Sequence, residues 1–347
     1  MGVTIYDIAK TANVGVGTVS RVLNNHPSVS PGTREHVLSI ARQLDYRPNA
    51  SAQRLARRKS RTITAIMPFI TNYFFVELLR GIQETLFKRD YDLLLYGVIH
   101  PMQIEGYLQR SLRVGHADGI MLASVSIPAG YTQKCLKDNF PLILIDRFNE
   151  HFDSFSVENT QGAMLATEHL IELGHRRIAI ITGNEDAAPS IERLQGYRST
   201  MEEHGLTSNI QVFHPETRQI DDGFNKESGY AIMQTILDGP AENVPTAVVV
   251  TSDIQAIGAL HALKDRKLRC PEDMSIISFD DIELAQHYGL TTMHQPIRTM
   301  GILAVERLFE RLERADLPPI HKQFTPELVI RTTTFAPATH GVLPLTH

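Results

Sequence analysis

Tryptophan is absent from this 347-residue chain and cysteine occurs only twice, at Cys135 and Cys270. The two cysteines stand far apart, and neither belongs to a CxxC motif or a Cys/His cluster. That argues against a disulfide framework and a zinc site, and it suits a reducing cytosol. No stretch approaches the ~18 apolar residues of a membrane span. The opening MGVTIYDIAK has neither the basic start nor the apolar run of a signal peptide. A cytoplasmic protein without a membrane partner is expected. Motifs of catalysis are missing too: there is no P-loop, HExxH or GxSxG. Gly15-Val16-Gly17 follows no strand and has no third glycine, so it is a poor phosphate loop. The expectation is a non-enzyme without cofactor or metal. A hydrolase or isomerase built on strand-end carboxylates, and a transport-type sugar-binding protein, are the readings set aside.

What is present is an ordinary globular balance, 42% hydrophobic and 21% charged, long enough for two or three domains. The net charge of −5 hides an asymmetry. Residues 1–61 hold ten Lys or Arg against three acids, a net +7, whereas the remainder holds 24 against 36, a net −12. A basic head on an acidic body points to a polyanionic partner for the head alone.

The head reads as short helices. Thr4 can cap the first, with Asp7 three residues on, and Ile5, Ile8, Ala9 and Ala12 form its apolar face. Asn13 tolerates the left-handed conformation of a tight turn. A second short helix follows, with Val19, Val22 and Leu23 inward and Thr18, Ser20, Arg21 and Asn24 outward. This is a helix-turn-helix, whose second helix enters the major groove. Ser30-Pro31 opens a third helix. After Tyr46-Arg47-Pro48-Asn49 comes a basic segment whose single large apolar residue is Leu55. It reads either as a charged linker helix or as a minor-groove wedge.

Ile5-Tyr6-Asp7-Ile8-Ala9, Thr18-Val19-Ser20-Arg21-Val22-Leu23-Asn24 and Tyr46-Arg47-Pro48-Asn49-Ala50 resemble the lactose-repressor (LacI/GalR) family, and the likeness runs to about residue 337. The resemblance implies that Val16 and Gly17 set base preference, and that Thr18, Ser20, Arg21 and Asn24 touch bases or phosphates. It implies that Tyr46 and Asn49 anchor the backbone and that Leu55 intercalates. Thr4 and Ala52 join the DNA-contacting set. The implied partner is a palindromic double-stranded operator gripped by a homodimer. Asn13 and Gly15 depart from the family's usual turn residues, and Gly17 weakens its helix.

In the body, apolar runs at 63–69, 92–98, 119–123, 142–146, 177–182, 247–251 and 275–279 alternate with amphipathic stretches at 75–88, 162–173, 192–204, 226–237 and 254–265. Such alternation predicts parallel sheets covered on both faces, enough for two doubly wound sheets. Polar residues follow the runs where such folds bind ligands: Asp146-Arg147, Thr182-Gly183-Asn184, Ser252-Asp253 and Asp280-Asp281.

The resemblance implies an α/β periplasmic-binding-protein-like body behind an all-α helix-turn-helix head. Its organisation is a DNA-binding domain at 1–47, a hinge at 48–60 and a two-lobed body at 61–337. The N-lobe takes 61–160 plus 292–322, the C-lobe 161–291 plus 323–337, and 338–347 form a disordered tail. Phe74, Asp146, Arg193, Phe224, Asp253 and Asp280 are implied to line the interlobe cleft. The implied effector is a carbohydrate, with a nucleoside or purine, or a protein corepressor, as the alternative.

Overall fold

A computed structural model of the chain describes residues 3–46, 60–128, 130–216 and 222–337. The chain divides into two compact units, Met1–Ser60 and Arg61–His347.

In the first unit, α1 (Ile5–Thr11), α2 (Val16–Leu23) and α3 (Pro31–Gln43) enclose a small core of Ile8, Val19, Val22, Val37 and Ile40. The cap expected at Thr4 is present as a capping box, its backbone N and Oγ1 donating to Asp7 Oδ2 at 2.8 and 2.7 Å. These two bonds hold the Asp7 carboxyl below its usual range. Asn13 takes the left-handed conformation at φ +51° and turns the chain from α1 into α2.

The second unit holds two parallel sheets. The first comprises β1 (Thr62–Pro68), β2 (Asp92–Val98), β3 (Gly119–Ala123), β4 (Leu142–Ile145), β5 (Asp153–Val157) and β11 (His321–Phe324), in the order β11-β5-β4-β3-β1-β2. Ile63, Met121 and Ile143 on one face pack under α4 (Tyr73–Lys88) and α12 (Ile297–Glu313). Ile66, Ile120 and Leu144 on the other pack under α5 (Gln103–Ser111) and α6 (Tyr131–Lys137).

The second sheet comprises β6 (Ile178–Ile181), β7 (Gln211–Phe213), β8 (Ala247–Val250), β9 (Ser275–Asp280), β10 (Thr291–His294) and β12 (Glu327–Val329), in the order β12-β10-β9-β8-β6-β7, with only β12 antiparallel. It is covered by α7 (Asn159–Glu172) and α8 (Ala188–Glu203) on one face and α9 (Lys226–Leu237) and α10 (Asp253–Asp265) on the other, and α11 (Glu283–Tyr288) follows β9. Continuous burial of β1, β3, β4, β6, β8 and β9 explains their unbroken apolar runs.

Strands β5 and β10 are buried yet polar, so they were not among the apolar runs. Asp153 on β5 accepts bonds from Arg307 Nε at 2.9 Å, Arg311 Nε at 2.6 Å and Ile320 N at 2.9 Å. The hydroxyls of Thr291 and Thr292 on β10 are likewise bonded. Because β10 belongs to the second sheet and β11 to the first, the chain passes between lobes at 158, at 295–296 and at 325–326. The lobe divisions expected at 160, 292 and 323 move accordingly: β10 pairs in the second sheet and β11 in the first, which carries the last two divisions a few residues on, while the first falls just after β5. Asn49, Ala52, Leu55 and the tail 338–347 lie outside the described residues.

Helices α9 and α10 cross with almost no space between backbones. A Cβ on Gly258 would lie 2.0 Å from Lys226 O, whereas one on Gly106 of α5 would meet nothing within 4 Å. Gly258→Ala should therefore lower stability to urea by ~1–3 kcal/mol, while Gly106→Ala should be neutral or mildly stabilising. Equal stabilities for the two variants would contradict the crossing.

Candidate functional site

Two sites emerge, one in each unit. On α2 the inward positions Val19 and Val22 are buried, and the opposite side presents Gly17 and Arg21 to solvent with Val16, Thr18, Ser20 and Asn24 half-buried beside them. Asn24 Nδ2 donates to Ser20 O at 2.9 Å, which fastens the helix end. Arg34 donates to Asn25 Oδ1 and, at 2.7 Å, to His26 O, which fixes the chain leaving α2. Tyr46 packs half-buried against the three-helix core. The sequence reading overlooked Tyr6, which stands 69% exposed on α1. Its position between Ile5 and Ile8, off the apolar stripe, was the available signal.

The second site is a cleft between the lobes. Its walls are the carboxyl ends of strands, where doubly wound folds bind ligands. Phe69 after β1, Ser124 after β3, Asp146 after β4 and Asp280 ending β9 all line it, with φ of +49°, +52°, +57° and +108°. Asp222 lines it too, at φ +55°, and left-handed backbone at five non-glycine residues is strain concentrated at one place, as at functional sites. Asn72 spans the cleft: its Oδ1 accepts from Phe74 N at 3.0 Å and its Nδ2 donates to Phe224 O at 3.2 Å. Both phenylalanines line the space, which is about 720 Å³ including its mouth and within the usual range for small ligands.

Arg193 is 5% exposed, from the second turn of α8. Its Nε donates to Asn159 Oδ1 at 2.9 Å, its Nη1 donates to Thr251 O, and its guanidinium carbon lies 4.5 Å from the Phe279 ring centroid. Burial penalises its charge, and the carboxyls of Asp280 and Asp146 oppose that penalty. Burial likewise raises Asp146, against the Ser124 hydroxyl, which donates to its Oδ2 at 2.7 Å, and against Arg147 and Arg193. Asp280 is pushed up to about 8 by burial, with Arg193 opposing and Asp253 reinforcing. Gln295 Nε2 donates to Asp280 Oδ1 at 2.6 Å.

Of the six expected cleft residues, five line it: Phe74, Asp146, Arg193, Phe224 and Asp280. Asp253 does not. It is 0% exposed, and its carboxylate accepts from Ser278 Oγ at 2.5 Å, Thr292 Oγ1 at 2.7 Å and Ile282 N at 2.9 Å. Its carboxylate is committed to holding the turn that follows Asp280. Arg147 and Ser252, expected among the polar residues at strand ends, line the cleft as well, and Asn72, Ser124, Asp222 and Gln295 line it without having been expected. Ser124 and Gln295 directly follow β3 and β10, so the strand-end rule had the power to find them, whereas Asn72 caps α4 and Asp222 stands in the loop before α9.

Among the described residues no helix is long and apolar enough to cross a membrane, and no His/Cys/Asp/Glu group is arranged to hold a metal. A helix-turn-helix unit with a two-lobed ligand-binding-type body defines the class. Residues 4–49 match the model for bacterial regulatory proteins of the lacI family, and residues 167–334 match a periplasmic binding protein-like domain. Catabolite control protein A of Priestia megaterium is 31% identical over 340 residues, spanning 96% of this chain and 100% of the relative. The lac repressor dimer bound to operator and the anti-inducer ONPF superposes with a TM-score of 0.80 at 25% identity, covering 97% of this chain and 100% of the other. The CelR–cellobiose complex superposes with 0.66 at 28% identity, covering 95% and 99%. The chain belongs to the lacI family of bacterial regulatory proteins.

Two outcomes follow. A Cβ at Gly17 meets nothing within 4 Å, so Gly17→Ala should stabilise α2 by ~1 kcal/mol and slow exchange of its amides about fivefold. Unchanged exchange would mean that this position does not limit helix stability. Asp280, an acid whose pKa rises on folding, stabilises the fold at low pH. That contribution fades as pH climbs from the ordinary carboxylate range to about 8. The melting temperature of Asp280→Asn should therefore decline less than that of the native protein between pH 4 and pH 8. Parallel declines would mean that Asp280 ionises normally.

Proposed function

We propose that the protein is a sequence-specific transcriptional repressor that binds a palindromic operator as a homodimer and is controlled by a small carbohydrate in the interlobe cleft. The observation that carries the effector reading is the charge balance of the cleft. Asp146, Asp222 and Asp280 face Arg147 and Arg193, and burial keeps a proton on Asp280 near neutral pH. The lining is thus close to electrically neutral while rich in strong hydrogen-bonding groups. Such a surface suits an uncharged polyhydroxylated ligand, since carboxyl and guanidinium groups bind paired hydroxyls firmly. Phe74 and Phe224 offer apolar faces to a sugar ring. The cellobiose bound by CelR is in keeping with this class.

The DNA reading is supported by the basic head, by the outward face of α2, and by the operator bound to the lac repressor dimer. In this reading Thr4, Val16, Gly17, Thr18, Ser20, Arg21, Asn24, Tyr46 and Asn49 contact the operator, and Ala52 and Leu55 belong to a hinge that enters the minor groove. The cleft releases its ligand unchanged, and the protein acts in the cytoplasm, where the chromosome is. Ligand binding favours one arrangement of the lobes, and that preference shifts operator affinity. A flat purine between the two phenylalanines is the second reading.

The test begins with selection of bound sequences from random DNA by the full-length protein. The enriched site is then titrated with protein in the presence of a sugar panel and, separately, of guanine and hypoxanthine. A palindrome whose affinity changes tenfold or more with a sugar, about 1.4 kcal/mol of coupling, is the expected result. Leu55→Ala should weaken the same site in the absence of any sugar. Enrichment of no motif would remove the operator reading, and a response to the purines alone would replace the carbohydrate.

A further inference from the structure

Adjoining the cleft at Asp146 and Arg147 lies a second concavity, formed where the chain first passes between the lobes. It shares Asp146 and Arg147 with the cleft and adds Phe148, Glu192 and the side chains of Gln161, Gln195 and Gln323. Residues of both lobes contribute, on either side of the passage at Glu158.

Its chemistry is prepared for a ligand of a particular kind. Phe148 is 70% exposed and lies beside the His321 ring, at 4.7 Å between centroids and tilted by 57°. Among the described residues the Arg147 guanidinium makes one hydrogen bond, from Nη1 to its neighbour's carbonyl Asp146 O at 3.2 Å. Glu192 is oriented by Asn159, which is 3% exposed and donates from Nδ2 to Glu192 Oε2 at 2.7 Å. The same Asn159 accepts from Arg193, the guanidinium that faces the cleft. The three glutamines are exposed amides, each with two donors and an acceptor. An open ring face, paired amides, one oriented carboxylate and one guanidinium together offer adjacent donors and acceptors around an apolar plate. That suits the hydroxyls and C–H face of a pyranose or furanose, and it suits neither a lipid nor an isolated phosphate.

We propose that this groove is a second sugar subsite, so that the effector is an oligosaccharide of at least two units, one in the cleft and the next beyond Arg147. The proposal rests on the carbohydrate reading of the cleft. Because the groove straddles the first passage between lobes, a second unit there engages both lobes at once and adds to the preference for the closed arrangement.

The experiment uses the full-length protein and a partial hydrolysate of mixed plant polysaccharides, separated by size into mono-, di- and trisaccharide fractions. Native mass spectrometry reads the mass retained and its apparent affinity. Phe148→Ala/Gln161→Ala alters two exposed side chains outside the cleft, and circular dichroism checks that it folds. The expected result is retention of one di- or trisaccharide by the unaltered protein at least tenfold more tightly than any monosaccharide, with that advantage lost in the double variant. Monosaccharides retained as tightly as longer sugars, or an unchanged advantage in the double variant, would overturn the groove while leaving the cleft reading intact. Retention from no fraction would overturn the carbohydrate reading itself, and the groove with it.

Discussion

A buried guanidinium organises the ligand-binding half of this molecule. Arg193 is removed from water, bonded to Asn159 and to the end of β8 through Thr251 O, and laid over Phe279. An unpaired charge at that depth would cost several kcal/mol, so its neighbours must be acidic and its cavity polar. The placement of Asp146 on one lobe and Asp280 on the other follows from that need. Bringing the lobes together is therefore partly an electrostatic event: the Asp146 carboxyl of one lobe approaches the buried cation of the other.

Two of the ionisable groups contributed by the second lobe, Arg193 and Asp280, are also tied to the places where the chain passes between lobes. Arg193 is bonded to Asn159, the first residue of α7 after the passage at 158, and Asp280 to Gln295 at the second passage. A ligand that pulls on either group pulls on a residue of a passage. This gives a physical route from occupancy of the cleft to the angle between lobes, without any long chain of intermediaries. It also places Asn72, bonded to the backbones of Phe74 and Phe224 from opposite walls, as the counterpart on the open side.

Much of this was legible in the residues, and the exceptions share a cause. Apolar runs announced six of the buried strands, and the spacing of Ile8, Val19 and Val22 announced the head. Strands β5 and β10 stayed hidden because their polar side chains are neutralised by partners distant in sequence, Arg307 and Arg311 for Asp153, and Asp253 for Thr292. Asp253 and Asp280 look alike from the chain, each an acid where an apolar run ends. Only the partners that surround Asp253 decide that it holds a turn while Asp280 faces a ligand. The lining role of Asn72 and Asp222 was hidden for a different reason, since a polar residue that caps a helix or sits within a loop does not mark a strand end.

The three passages between lobes have a mechanical meaning. A single tether would let one lobe swivel freely about the other, and two would still allow torsion around the line that joins them. Three strands of chain running side by side behave as a flexure, soft to bending across their common plane and stiff to twist. Such a connection favours bending of one lobe towards the other over twisting between them, so a ligand that holds the lobes together acts on the softer of the two motions.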